Sequence, residues 1–175
     1  MIDFTTISYL KAGNLRQRSA YVVLSENRIF DILKDFDPLL AGTIPIGIDT
    51  VESDLDIICF CNDELTFKEI IIRHYSSYRD FKIRDLLING QPATVANFYA
   101  DDFEIEIFGQ NIPVKSQLAY RHMVVEYQLL QEKGDAFQKE IVKLKRQGYK
   151  TEPAFAKLLE LKGDPYQELL KFENT

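Results

Sequence analysis

The chain has 175 residues, with 21 Lys and Arg against 27 Asp and Glu, a formal net charge of −6. That balance argues against a surface coated in nucleic acid, while leaving room for a local basic strip. A hydrophobic content of 46% beside 27% charged residues fits one domain, or one domain with a helical appendage, large enough to fold without a disulfide or metal staple.

Residues 1–13 read as a lead-in, without the basic start and apolar stretch of a signal peptide. No apolar run reaches the length of a membrane span. Asn14 with Gln17 forms a capping-box pattern, so a helix is expected from Leu15 to about Ser25, with Leu15, Val22 and Val23 inward. Arg16, Gln17 and Arg18 fall where a phosphate can be reached, although charge on a helix is ordinarily a solvated face. Ile29, Phe30, Ile32 and Leu33 predict a second short helix ending near Asp35.

Leu39–Ala41 is the first expected strand, ended by Gly42-Thr43. Ile44-Pro45-Ile46-Gly47 fits a turn, with Pro second and Gly fourth. Asp49 and Glu52 read as solvated loop acids. Asp54-Leu55-Asp56 then leads the apolar run Ile57–Phe60, a strand expected from Asp54 to about Cys61 and buried on both faces at its centre. Side chains alternate along a strand, so Asp54 and Asp56 project from one face about 7 Å apart. Two such carboxylates can hold a hard divalent cation. Gly42 lets the backbone approach a ligand, and Thr43 offers a hydroxyl and an N–H to an anion. Cys59 and Cys61 make neither a bridge nor a zinc motif, which suits a reducing cytoplasm. Cys59 itself reads as a small core residue.

Asn62 or Asp63 is expected to cap a helix carrying Leu65, Phe67, Ile70, Ile71 and Ile72 to about Ser76, with His74 near its C-terminal end, where a cation suits the dipole. Three strands follow. Phe81–Ile88 leads into Asn89-Gly90, the strongest hairpin signal in the chain, and Pro92–Tyr99 returns. After Asp101-Asp102, Phe103–Ile107 alternates strictly, so Glu104 and Glu106 share one face. Phe108–Pro113 reads as a loop.

Ser116 is expected to cap a helix over Gln117 to about Lys133, with Leu118, His122, Val125 and Leu129 on one stripe. His122 there reads as a satisfied core histidine. Arg121 points elsewhere, and its guanidinium suits either a triphosphate or a structural ion pair. Between Glu132 and Lys150 there are six basic and three acidic side chains. Lys139, Lys143 and Arg146 lie on one side of a helix, read as a solvated face before a strip for RNA, DNA or an acidic partner. Gly148 ends that helix. Thr151 caps the next, with Phe155, Leu158, Leu159 and Leu161, stopped by Gly163, and Asp164-Pro165 with Gln167 opens the last.

Ala41-Gly42-Thr43, ten intervening residues and Asp54-Leu55-Asp56 resemble the signature of the nucleotidyltransferase fold shared with DNA polymerase beta. That signature is an apolar residue, Gly, then Gly or Ser, a spacer, and acid-apolar-acid on a strand. Thr43 departs from Gly or Ser but keeps a hydroxyl. The longer string GTIPIGID…SDLDIIC, with FGQ and AYRHM downstream, is similar to a bacterial family of nucleotidyltransferase-like proteins of unassigned function. The resemblance implies an α/β (α+β) fold: a mixed sheet of about five strands with helices on one side over residues 1–115, followed by a helical region over 116–175.

It also implies a chemistry, the transfer of a nucleoside monophosphate from a nucleoside triphosphate to an acceptor. Mg²⁺ at a two-metal site, or Mn²⁺ in its place, would be held by Asp54 and Asp56. A third carboxylate would come from the later strand, either Glu104 or Glu106; Glu106 is preferred because it leads into FGQ. Gly42, Thr43 and Arg121 are the expected phosphate-binding residues. The acceptor stays open among a small molecule, RNA and protein. The setting expected is cytoplasmic, without a membrane, with a homodimer as the oligomeric alternative. The rival reading is a non-catalytic nucleotide-binding or antitoxin-like interaction module on the same fold.

Overall fold

The computed structural model describes residues 2–173; positions 1, 174 and 175 of the two expected regions lie outside the described residues. Asn14 caps helix α1 (Leu15–Glu26) in a reciprocal box: its side chain accepts from the Gln17 N–H at 2.9 Å, and the Gln17 side chain accepts from the Asn14 N–H at 2.9 Å. The buried stripe is Ala20, Val23 and Leu24, whereas Leu15 and Val22, expected inward, are exposed. Helical periodicity decides this, because Val22 points about 100° away from Val23. A single turn, α2 (Ile29–Ile32), and a 3₁₀ turn (Lys34–Phe36) bring the chain to strand β1 (Leu39–Ala41).

Strand β2 (Leu55–Phe60) is followed by helix α3 (Glu64–Tyr75), whose cap Asp63 accepts from the N–H groups of Leu65 and Thr66. Phe67, Ile71 and Tyr75 face inward, while Leu65 and Ile72 are exposed. Strands β3 (Arg79–Ile88) and β4 (Gln91–Ala100) form a hairpin whose two turn residues, Asn89 and Gly90, are both left-handed (φ 51° and 77°), as a two-residue connection requires.

Strand β5 (Phe103–Gln110) extends through Phe108-Gly109-Gln110, which the sequence reading places in a loop. Gly109 pairs with Cys59 on β2 and Thr94 on β4, and a Cβ on it would lie 2.2 Å from the Phe67 ring. The glycine makes room for an aromatic ring and breaks nothing. Gly109→Ala is therefore expected to lower stability by about 1–3 kcal/mol, read from the urea midpoint, because the fully buried Phe67 ring must move.

The five strands lie in the order β1-β2-β5-β4-β3. β2 and β5 are parallel and the other pairs antiparallel. One face packs Leu55, Ile57, Cys59, Ile105 and Ile107 against α1, α2 and α3. On the other face Ile58 and Phe108 meet a second core drawn from the C-terminal helices. The helices of residues 1–115 thus lie on one side of the sheet, as the sequence reading expects, and the C-terminal helices pack on the other. Asp54, Asp56, Glu104 and Glu106, at the ends of β2 and β5, are partly exposed.

The covering helices are α4 (Leu118–Arg146), α5 (Thr151–Leu158) and α6 (Pro165–Leu170). α4 is interrupted at Gly134, whose backbone (φ 76°, ψ −174°) is not helical. Ser116 lies in a 3₁₀ turn (Val114–Ser116) and does not cap α4; Gln117 holds the cap position and spends its amide N–H groups on Cys59 O and Ile112 O, both at 2.9 Å. Among the described residues, no helix is long and apolar enough to cross a membrane.

Candidate active site

The register of two parallel strands builds the site. Asp56 on β2 lies opposite Glu106 on β5, so both carboxylates leave the sheet on the same face. Asp54 precedes β2 and Glu104 lies two residues before Glu106, extending the acidic row by strand parity. On the other side of β2, Ala41 pairs with Asp56, and Gly42 follows at the turn. A Cβ on Gly42 would stand 2.1 Å from Asp56 Oδ2, and its φ of +80° favours glycine in any case.

The loop between β1 and β2 is tied down from several directions. The Gln17 amide donates to Ile44 O and Pro45 O (2.9 and 3.1 Å), Arg16 donates to Ser53 O (3.1 Å), and the Gln138 amide donates to Gly47 O (2.9 Å). Arg16 also stacks over the Phe103 ring at 4.0 Å. Arg16 and Gln17 thus hold the loop that leads to the acids, a task beyond the alternatives weighed from sequence, and Arg16 also borders the loop cavity; Arg18 bonds Gly13 O. The Thr43 hydroxyl lies 3.1 Å from the Ser53 hydroxyl, which in turn accepts from the Thr50 N–H.

The glutamates are held from β4 and β3. Asn97 Nδ2 donates to Glu106 Oε2 (3.1 Å) and Glu104 Oε1 (3.3 Å), and the Tyr99 hydroxyl donates to Glu104 Oε2 (3.2 Å). Arg84 donates to Asn97 Oδ1 (2.7 Å) and stands 3.8 Å from Glu106 Oε2.

Negative charge is crowded here. Burial, then the charges of Asp54 and Glu106, push the Asp56 carboxyl up to about 7, with the Lys145 ammonium pulling the other way. Burial also raises Asp54, against its own backbone N–H and with Glu106 and Glu104 adding to the effect. Asp49, half-buried in the loop, is raised by burial as well. Lys145, near the end of α4, is lowered by burial and supported by Glu126, Asp49, Glu152 and Asp56. It is the cation that the sequence reading passes over in favour of Lys139, Lys143 and Arg146. The signal was present: Lys145 follows Ile141 by four residues, and so shares the buried face of the helix. Asn97 is the other omission, since nothing in a strand sequence says which acid an amide will meet.

Two cavities lie in this part of the molecule, and one of them has the acids in its wall. One, about 530 Å³, is bordered by Arg16, Asp49, Thr50, Lys145 and Arg146, on the loop that precedes β2. The other, about 390 Å³, includes Asp56 and Glu106 in its wall and extends past Ile58 and Phe108 to the β3–β4 hairpin and the start of α4.

Arg121 is not brought to this place. Its guanidinium grips Glu173 through Nε and Nη2 at 2.8 and 2.6 Å, the structural ion pair of the two alternatives, and it borders neither cavity. His122 is buried: its Nε2 donates to Tyr166 O at 3.1 Å, and Nδ1 lies 3.3 Å from Glu152. Burial alone would raise the Glu152 carboxyl, yet the His122 contact leaves it below its ordinary value.

Asp54, Asp56 and Glu106 offer oxygen donors alone, the set a hard divalent cation takes, and their mutual repulsion is the kind a cation relieves. Among the described residues, no three acidic, imidazole or thiol groups stand close enough together to hold a metal ion between them.

The fold recurs in solved polymerases. A structure of the GLD-2/RNP-8 complex aligns with a TM-score of 0.50 and 14% identity over 81% of this chain and 55% of that one. Cid1 poly(U) polymerase with MgGTP bound aligns at 0.51 and 16% identity over 76% of this chain and 42% of that one. The same enzyme with Mg 3′-dATP bound gives 0.51 and 16% over 87% and 46%. The chain therefore spans about half the length of these neighbours, and at such identities the likeness is one of fold. No curated protein matches the chain. The family model described as "Domain of unknown function (DUF4269)" matches residues 22–172. That match runs from the middle of α1 to the end of the helical region, and the chain belongs to this family.

Proposed function

We propose that the protein is a metal-dependent nucleotidyltransferase that moves a nucleoside monophosphate from a nucleoside triphosphate to an acceptor. One observation carries the reading: Asp56 and Glu106 stand in register on parallel strands beneath a glycine that has room for no side chain. The triphosphate belongs on the side of the loop cavity, where Lys145, Arg16 and Arg146 supply positive charge. Gly42 and Thr43 meet it with backbone N–H groups and a hydroxyl. Asp54, Asp56 and Glu106, with Glu104 beside them, are the carboxylates that would hold Mg²⁺. An incomplete protein cage suits that ion, which commonly takes one or two carboxylates and completes its shell with substrate phosphates and water. When bound, it supplies charge compensation at the phosphates and acidity to a coordinated hydroxyl. The chain's own residues orient the triphosphate, hold the loop still and receive the acceptor's proton; no protein nucleophile is required.

The test is direct. MgATP or MgUTP should stabilise the protein by about 2.7 kcal/mol at a hundredfold excess over Kd, with pyrophosphate released once an acceptor is supplied. Asp56→Ala should abolish both effects. Stabilisation that ignores metal and yields no pyrophosphate would instead favour the non-catalytic binding module. The contact of Arg84 with Glu106 gives that second reading its one specific support. A protein indifferent to every nucleotide would be an interaction module.

Lys145 separates phosphate binding from the chemical step. Lys145→Met should raise KM for the triphosphate about tenfold to a hundredfold, with a smaller change in kcat, as expected when one charged contact is lost. An unchanged KM would remove Lys145 from the phosphate side.

A further inference from the structure

The two cavities differ in charge in a way that bears on the acceptor, and the argument rests on the transfer reading above. The loop cavity is bordered by the segment just ahead of Asp54 and by the end of α4, with the cations Arg16, Lys145 and Arg146 beside the acids Asp49 and Glu52. The second cavity has Asp56 and Glu106 in its wall, and among the described residues no Lys, Arg or His borders it. Displacement at phosphorus places the attacking and leaving oxygens roughly in line. A polyanionic leaving group needs the cationic side, so the attacking group enters from the other.

That other side is acidic at one end and otherwise uncharged. Asp56 and Glu106 close one end of it. Gln117, only 4% exposed, lies in the wall with both amide N–H groups already given to Cys59 O and Ile112 O. Its Oε1 is buried with no hydrogen-bond partner, so its amide offers this cavity no free donor. The rest of the wall sets apolar Ile58, Ile88, Phe108 and Leu118 beside the neutral polar Asn89, Gln91, Gln110 and Ser116. A nucleic acid end would bring phosphates into a space with no cation to meet them, whereas proteins hold such backbones through Lys and Arg. Arg84 approaches Glu106 from the β3 side, but does not border the cavity.

We propose that this second cavity is the acceptor subsite, and that the acceptor is a small neutral or cationic molecule presenting a hydroxyl or amine on an apolar body. The acceptor oxygen or nitrogen forms a bond to the α-phosphorus of the triphosphate. The bond from that phosphorus to the bridging oxygen breaks, pyrophosphate leaves with the electron pair, and the acceptor's proton passes to the Glu106 carboxylate.

The experiment supplies α-labelled ATP or UTP and Mg²⁺ to the full chain, together with three separated acceptor pools: the ultrafiltrate of a cell extract, a short oligoribonucleotide, and the retained protein fraction. Label is expected in a small-molecule product from the ultrafiltrate. Ala119→Trp, at an exposed position in the cavity wall, should cut that product at least about tenfold while leaving nucleotide-induced thermal stabilisation unchanged. Label on the oligoribonucleotide or on protein overturns the proposal and leaves the transfer reading standing. So does full activity in Ala119→Trp. No label in any pool, with nucleotide stabilisation intact, also overturns the acceptor assignment. Loss of nucleotide stabilisation in the wild-type protein overturns the transfer reading itself.

Discussion

Asp56→Asn is expected to lose transfer activity by at least about a thousandfold and to gain stability at neutral pH. The two effects have one cause. The Asp56 carboxyl titrates near 7 in the folded protein, against roughly 3.9 in an unfolded chain. Between those values the folded state keeps a proton that the unfolded state has released. A raised acid therefore favours folding fully below about pH 4, and that contribution is lost as pH climbs through about 7. Three units correspond to roughly 4 kcal/mol as an upper bound, since Asp54 and Glu106 share the titration. Asparagine removes the charge and with it the decline. Urea unfolding of both proteins at pH 5 and pH 8 measures the difference. The wild type should weaken between the two while the variant changes less, because Asp54, Asp49 and Glu126 retain raised values. Parallel behaviour of the two proteins would mean that Asp56 carries no such strain.

The second large effect is at Gly42. Gly42→Ala meets two obstacles at once. A φ of +80° costs an L-residue about 1–2 kcal/mol, and the new methyl carbon would lie 2.1 Å from Asp56 Oδ2. The carboxylate has to swing away, and a displacement of about 1 Å at a reacting centre can cost a hundredfold in rate. We expect a loss of roughly 1–3 kcal/mol in stability together with at least a hundredfold in activity. A double-mutant cycle assigns the parts: with Asp56→Ala in place the clash is gone, so Gly42→Ala should then cost only its backbone share. Equal costs in both backgrounds would show that the methyl and the carboxylate never meet.

Much of this site could be read from residue order because it depends on local rules. Asp54 and Asp56 share a face by strand parity, as do Glu104 and Glu106, and Asn89-Gly90 closes its hairpin as the dipeptide requires. What joins the two acidic pairs is not local. β5 inserts between β2 and β4 and runs parallel to a strand that lies more than forty residues earlier in the chain. The same limit explains the errors. Gly109 reads as a breaker until Phe67 is seen to press on it. Arg121 reads equally as a phosphate ligand or as half of an ion pair until Glu173, fifty-two residues on, takes it. Lys145 reads as one more surface charge until α4 is laid against the loop beside the acids.

The interruption in α4 has a geometric consequence. Leu118 and Lys145 are both neighbours of Asp56, one through the wall of a shared cavity and the other through its charge. On a straight helix the 27 steps between them would hold them about 40 Å apart. The backbone of Gly134 (φ 76°, ψ −174°) lies in a region essentially closed to any other residue, and there the rod folds back on itself. A single pair of dihedral angles therefore sets the distance between Leu118 and Lys145, and with it the spacing of two walls around Asp56.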